Sequence, residues 1–289
     1  MISEWKKQII YMGTLILIVA SVIIYILNII IANQYLDEIR SKDINYEIFR
    51  EMNISNELLE QVFRQESIAN EDLAHSNFKK KCDSYDVLTT YILIYDFNTL
   101  EKKKIKESNI NLLLESLTYD LKFNELRKYY YIFLHDIKSF PIGDHSRKDP
   151  IVSYENTWNA HRSYGGDRKH EGTDLMVCDN TSGKYKVVSM TDGIVEKKGW
   201  LEQGGYRIGI RSKNGAYFYY AHLESYADEL EVGDFVGAGD FLGYVGDSGY
   251  GPEGTRGKFD VHLHLGIYIE SKIGEVSVNP YFLLKSMDY

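Results

Sequence analysis

The sequence predicts a chain in three parts: one membrane-spanning helix, a mainly helical middle domain and a mainly β C-terminal domain. Three observations carry this. Residues 9–32 run for 24 positions without a charge. Of the 23 glycines only Gly13 and Gly143 precede residue 150, and the other 21 fall between Gly165 and Gly274. Beyond Pro150, short alternating apolar runs separated by glycine replace the helically spaced apolar positions of the first half.

The uncharged run comes first. At about 1.5 Å per residue a helix there spans roughly 36 Å, enough to cross a hydrocarbon core of about 30 Å with some tilt. The competing reading is a cleaved signal peptide, but its apolar region is about 7–15 residues long, and no Ala-x-Ala pattern follows closely. Lys6 and Lys7 precede the run, whereas Asp37, Glu38, Arg40 and Lys42 mix signs after it. The positive-inside bias therefore expects residues 1–8 in the cytoplasm, a span over 9–32 and everything later outside the cell membrane.

Residues 33–140 are glycine-poor, with apolar positions such as Leu58-Leu59, Val62-Phe63, Leu112-Leu113-Leu114, Leu117 and Leu121 at helical spacing. They are expected to form a helical spacer that could engage a protein partner. Its charged runs, Lys79-Lys80-Lys81 and Lys102-Lys103-Lys104, read as solvated faces. Pro141 and Pro150 bracket a polar stretch, so 141–157 reads as a linker and 158–289 as the last domain.

In that domain the clearest strands are Arg207-Ile208-Gly209-Ile210-Arg211 and Ala216-Tyr217-Phe218-Tyr219-Tyr220, joined by Asn214-Gly215, which supplies the positive φ angles of a tight hairpin. Further strands are expected near 185–189, 193–197, 241–245 and 259–269. Period-2 alternation in the last of these puts His262 and His264 on one face and Leu263 and Leu265 on the other.

Composition excludes several classes. With 44% hydrophobic and 26% charged residues the chain is an ordinary folded protein. Its net charge of -9 lacks the clustered excess of Lys and Arg that a nucleic-acid binder carries. Two cysteines, Cys82 and Cys178, exclude a disulfide framework and leave open only whether they pair. Cys178 follows Leu175-Met176-Val177 and reads as a buried, inert thiol.

Three short blocks hold residue types that a borderline-soft divalent metal prefers: His170-Glu171-Gly172-Thr173-Asp174, Tyr220-Ala221-His222-Leu223 and His262-Leu263-His264. Each alone has a bland reading: a surface ion pair for His170 and Asp174, a core or edge histidine for His222, and a hydrogen-bonded pair for His262 and His264. In this order, together with Gly165-Gly166-Asp167-Arg168-Lys169, Gly204-Gly205-Tyr206 and Gly246-Asp247-Ser248-Gly249, they resemble the M23 peptidases, the LytM and lysostaphin-like peptidoglycan endopeptidases. The resemblance covers roughly residues 158–282.

What the resemblance implies is an antiparallel β-sheet domain with a groove for an extended peptide. Within it His170, Asp174 and His264 would ligate Zn2+, and His222 and His262 would remain unligated to handle protons. Tyr164 matches a tyrosine assigned to stabilising the developing oxyanion, against a bland reading as a packing aromatic. The implied function is hydrolysis of amide bonds in peptidoglycan stems or cross-links. The alternatives are a non-catalytic LytM-like scaffold or activator in cell division or sporulation, and a metallopeptidase acting on proteins. His161 departs from the related Trp-Gly-Ala-Pro-Arg segment and is left out of the site. Gly249-x-Gly251-x-x-Gly254 matches a dinucleotide-binding string, but no helix is expected after it, so it reads as a loop beside the groove.

Overall fold

A computed structural model describes residues 4–72, 83–100, 107–146 and 148–288. The lysine runs 79–81 and 102–104 and Cys82, with its pairing, lie outside the described residues. Helix α1 (Glu4–Ser41) is continuous over 38 residues. Its apolar side chains from Trp5 to Ile31 are exposed except the partly buried Ile29, and full burial begins at Ala32, Leu36 and Ile39.

Short helices follow: α2 (Tyr46–Glu51), α3 (Asn56–Asp72), α4 (Ser84–Ile94), α5 (Glu107–Leu117) and α6 (Leu121–Leu134). Asn45, Asp83 and Asp120 cap three of them, Asp83 in a reciprocal box with Asp86, which satisfies amides that the first turn leaves unpaired. The buried end of α1 packs with Ile110, Leu113, Leu114 and Leu117 of α5 and with Phe123, so the exposed apolar stretch runs directly into the helical core.

The second half contains β1 (Val152–Ser153), β2 (His161–Arg162), β3 (Arg168–Lys169), β4 (Thr173–Val177), β5 (Lys186–Val188) and β6 (Gly193–Leu201). It continues through β7 (Gly205–Ser212), β8 (Tyr217–Tyr226), β9 (Phe235–Val236), β10 (Phe241–Val245), β11 (His262–Ser271), β12 (Gly274–Val278) and α7 (Tyr281–Met287). Ten strands form one antiparallel sheet in the order β1-β4-β11-β8-β7-β6-β9, with β10 and β5 joined at β8 and β12 at β11; β2 and β3 form a separate ribbon. One face is core, built from Leu175, Ile208, Phe218, Tyr220, Leu263 and Leu265, all fully buried. The other face forms the floor of a cleft.

The expected hairpin is β7–β8, but Gly215 alone takes a positive φ (104°) at its turn. Asn214 instead gives its backbone amide and its side-chain amide to Asp136, at 2.8 and 2.6 Å, just beyond α6. Cys178 differs from its reading as a buried thiol: the strand ends at Val177, and Cys178 sits exposed in the turn beyond it.

Helical and β parts share one hydrophobic cluster, running from Phe49, Leu88 and Phe133 to Leu175, Ile208 and Leu284. The stretch 141–157 contributes a bridge between Ile142 and Val187 and then β1, paired with β4. Arg50 of α2 closes the joint from the other side. Its Nε donates to the Ser277 carbonyl at 2.9 Å, and its Nη2 to Ser277 Oγ at 2.8 Å and to Glu171 Oε1. Its guanidinium also lies 5.6 Å from the centre of the Trp158 ring.

Arg50→Ala is expected to destabilise the full chain by about 1–3 kcal/mol in chemical denaturation, since it removes charge-assisted hydrogen bonds of which Glu171 is partly solvated. Faster hydrogen exchange around Ser277 and Glu171 should accompany the loss.

Candidate metal centre

The centre is built on the pairing of β4 with β11, which sets Asp174 directly opposite His264. His170 reaches them from the loop just before β4. The three donors converge: His170 Nε2 lies 3.0 Å from Asp174 Oδ1 and 3.1 Å from His264 Nδ1, and His264 Nδ1 lies 2.8 Å from Asp174 Oδ1. Donors about 2.0–2.1 Å from a tetrahedral zinc stand about 3.3 Å apart, so the triangle need open by only a few tenths of an ångström. The donor set, two imidazoles and a carboxylate, suits that ion.

Further contacts orient the ligands, as metal sites require. His170 Nδ1 lies 3.0 Å from the Thr157 hydroxyl and 3.2 Å from the Thr157 carbonyl; with its proton on Nδ1 and given to that carbonyl, the ring would turn the Nε2 lone pair to the centre. Asp174 Oδ2 accepts from Arg162 Nη2 at 2.6 Å, which leaves Oδ1 for the ion. Burial pushes the Asp174 carboxyl up, but the imidazoles facing it more than reverse this and hold it well below the usual carboxylate range. Burial also lowers His170, keeping it neutral as a ligand must be. Gly172 explains itself: a Cβ there would stand 2.5 Å from His264 Cε1 and 2.6 Å from the Leu265 carbonyl.

His262 shares its face of β11 with His264, and its Nε2 lies 3.8 Å from Asp174 Oδ1. By simple alternation His222 would face the core with Phe218 and Tyr220, but it does not. Between the pairs Ile208–Tyr220 and Tyr206–Leu223, β8 carries one residue more than β7, and His222 sits at this bulge with φ 65°. The bulge re-aims the imidazole into the cleft and returns Leu223 to the core. A left-handed conformation at a non-glycine residue costs on the order of 1–2 kcal/mol and persists where the surroundings enforce it. Here they do: His222 N donates to the Gly204 carbonyl and its ring Nδ1 to the Ser248 carbonyl, both at 2.8 Å. The glycine blocks make room for this, because a Cβ at Gly205 would meet the Ser248 carbonyl at 2.2 Å and one at Gly249 would meet the Gln203 carbonyl at 2.7 Å.

His262 Nδ1 likewise lies 2.7 Å from the Asp260 carbonyl, so in both accessory histidines Nδ1 holds the proton and Nε2 is the basic nitrogen. Their ring centres are 4.7 Å apart. Phe259 packs on both rings, at 4.6 and 5.0 Å, and burial among these groups lowers both basicities, His222 most.

The cleft holds about 770 Å³ and is lined by all five of these residues. Tyr164 stands apart from its lining. Its hydroxyl donates to Glu202 at 3.3 Å, and its ring stacks at 4.2 Å on Tyr250, which does line the cleft. His161 pairs on the surface with Asp167 at 2.9 Å and is not among the residues lining the cleft. The run from Gly249 to Gly254 is a loop with no helix after it. Sequence reasoning did not single out Arg162, Tyr250, Phe259 or Thr157. Arg162 was readable only as the end of a segment whose middle departs from its relatives.

The site thus combines a cleft on a β-sheet floor, a His/Asp/His group that could hold a metal ion, and two further histidines beside it. The chain belongs to peptidase family M23, whose family model matches residues 168–280. A crystal structure from Ruminococcus gnavus ATCC 29149, provisionally described as a glycyl-glycine endopeptidase lytM, is 42% identical with a TM-score of 0.66, over 83% of this chain and 90% of that one. That coverage exceeds the β part, so the match extends into the helical region. The L-Ala--D-Glu endopeptidase of Bacillus subtilis (strain 168) is 43% identical over 150 residues, 51% of this chain and 45% of the relative. Lysostaphin of Staphylococcus simulans is 30% identical over 122 residues, 42% of this chain and 22% of the relative. The chain thus spans less than half the length of these curated relatives.

Gly172→Ala is expected to displace the His264 ring and weaken metal binding by about 10–100-fold in a competitive zinc titration. Unchanged affinity would mean that the close Gly172–His264 packing does not position the ligand.

Proposed function

We propose that this protein is a membrane-anchored zinc endopeptidase that hydrolyses amide bonds in the peptide part of peptidoglycan. The observation that carries the reading is the convergence of His170, Asp174 and His264 in a cleft that also holds two histidines whose basic nitrogens are free. The curated relatives named as an L-Ala--D-Glu endopeptidase and a lysostaphin support a cell-wall peptide as substrate.

His170 Nε2, Asp174 Oδ1 and His264 Nδ1 would hold the ion. When bound, zinc would supply a Lewis acid and lower the pKa of a coordinated water to about 7. The remaining chemistry belongs to the chain. His222 and His262, each with Nδ1 pinned to a backbone carbonyl, present Nε2 as proton acceptor; one takes the proton of the attacking water and returns it to the leaving amide nitrogen. Phe259 and Tyr250 keep bulk water from that pair. Arg162 keeps the Asp174 carboxylate turned toward the donors of His170 and His264. Tyr164, with its hydroxyl on Glu202, braces Tyr250 in this arrangement and is assigned no proton.

The anchor reading rests on α1. Eighteen large apolar residues are exposed along it, which water would not tolerate, while its last turns are built into the α5 contact. Cleavage as a signal peptide would expose or remove that packed end. With Lys6 and Lys7 cytoplasmic, the cleft faces the cell wall.

Incubating the zinc-loaded full chain with purified sacculi and analysing the products by mass spectrometry tests the reading. Released muropeptides with newly cut stems or cross-links are expected; intact muropeptides would sink it. His264→Ala should lose zinc and activity together, whereas His222→Ala should lose about 10²–10⁴-fold in kcat while keeping its zinc. Equal zinc loss in the two variants would reverse the role assignment.

A further inference from the structure

The cleft extends past the metal centre along the same floor. Going from His264 along β11 and across to β8, the cleft-facing positions are Gly266 and Tyr268, then Tyr219 and Tyr217, with Arg207 and Gly209 beyond them on β7. The glycines let the tyrosine rings lie along the sheet: a Cβ at Gly209 would strike the Tyr217 hydroxyl at 1.9 Å and one at Gly266 the Tyr268 ring at 2.8 Å.

Its charge is the reverse of the molecule's. The chain carries -9 overall, yet the cleft is lined by Arg162, Arg168, Lys169, Lys197 and Arg207 against only Glu171, Asp174 and Glu275. All three carboxylates are already answered: Asp174 by Arg162 at 2.6 Å, Glu171 by Arg50, and Glu275 by Arg211 at 3.4 Å. Among the described residues, Arg168, Lys169, Lys197 and Arg207 have no carboxylate within ion-pair distance.

Arg207 differs from the other three. Arg168 is spent on the Tyr164 carbonyl and the Tyr250 hydroxyl, at 3.1 and 3.2 Å, and Lys169 and Lys197 are exposed to water. Arg207 is only half-exposed, and its Nη1 is shielded from solvent without a hydrogen-bond partner. A guanidinium nitrogen left in that state is unfavourable unless an acceptor arrives. Its planar fork is suited to hold a carboxylate through two parallel hydrogen bonds, as an ammonium is not.

We propose that Arg207, with Lys197 on the adjacent strand, is a carboxylate-reading subsite that selects acidic peptides whose scissile amide lies at the metal centre. The proposal rests on the peptidase reading above for the kind of ligand. A γ-D-glutamyl linkage leaves the α-carboxylate of its glutamate free, which provides the anion this subsite lacks. Tyr219, whose ring centre lies 6.0 Å from that of His264, adds a hydroxyl donor on this floor.

The test is calorimetric binding to the metal-free full chain in detergent, with two probes: a γ-D-glutamyl stem peptide with a free α-carboxylate and the same peptide with that group as its primary amide. Wild type is expected to bind the carboxylate form ~10-fold more tightly. Arg207→Gln should abolish the difference, and Arg207→Lys should retain only part of it. Equal binding of the two probes by wild type, or a preference that survives Arg207→Gln, overturns the proposal. Hydrolysis is read separately on sacculi with zinc restored: a binding preference without release of muropeptides supports the subsite and overturns the peptidase reading.

Discussion

One cross-strand pair organises this protein. Asp174 on β4 and His264 on β11 face each other in register, and the donors of His170, Asp174 and His264 meet within 2.8–3.1 Å because that register is fixed. A slip of one residue would turn the carboxylate into the core and Leu175 into the cleft. Nothing local to His170, Asp174 or His264 enforces the register. It is held by what lies behind it: Leu175, Leu263 and Leu265 are fully buried on the opposite face, where the hydrophobic effect penalises any slip. The centre is therefore a consequence of the core, with Arg162 and Thr157 adding the final orientation.

The same sheet solves a second problem, that of placing five polar side chains over one floor without filling it. Glycines do this by absence. Gly172 yields to the His264 ring, Gly205 and Gly249 let the loop carbonyls close on His222, and Gly209 and Gly266 let tyrosines lie flat. These account for five of the 21 glycines gathered in this half of the chain. The helical half then meets the edge of this sheet through Arg50 and Asp136, and its own core takes in the end of α1. The path from the buried end of α1 to Glu171, next to His170, thus runs through packed protein.

Much of this was legible because it depends on period and spacing. The alternation that put His262 and His264 on one face, the glycine partition and the β7–β8 hairpin each express local rules, although Gly215 alone takes the positive φ expected of Asn214-Gly215. Other features depend on long-range pairing. His222 reaches the cleft only because β8 has one residue more than β7, and no count along β8 alone reveals that. Arg162 matters through the second oxygen of Asp174, twelve positions away in sequence and hydrogen-bonded only after β2 folds over the centre. Cys178 looked like the end of a buried strand, but β4 stops one residue earlier. Tyr164 fits its motif by sequence, while stacking on Tyr250 and a bond to Glu202 decide where its hydroxyl points. The unanswered charge of Arg207 became visible only once the partners of its neighbours could be counted.

The central claim is that a zinc ion sits on two histidines and one aspartate while two further histidines stay free. X-ray absorption at the zinc edge on the zinc-loaded full chain tests it most directly. The account predicts four nitrogen and oxygen neighbours at about 2.0–2.1 Å with outer-shell scattering from two imidazoles. Scattering from three or more imidazoles, which would put His222 or His262 on the metal, or a sulfur neighbour, would contradict it.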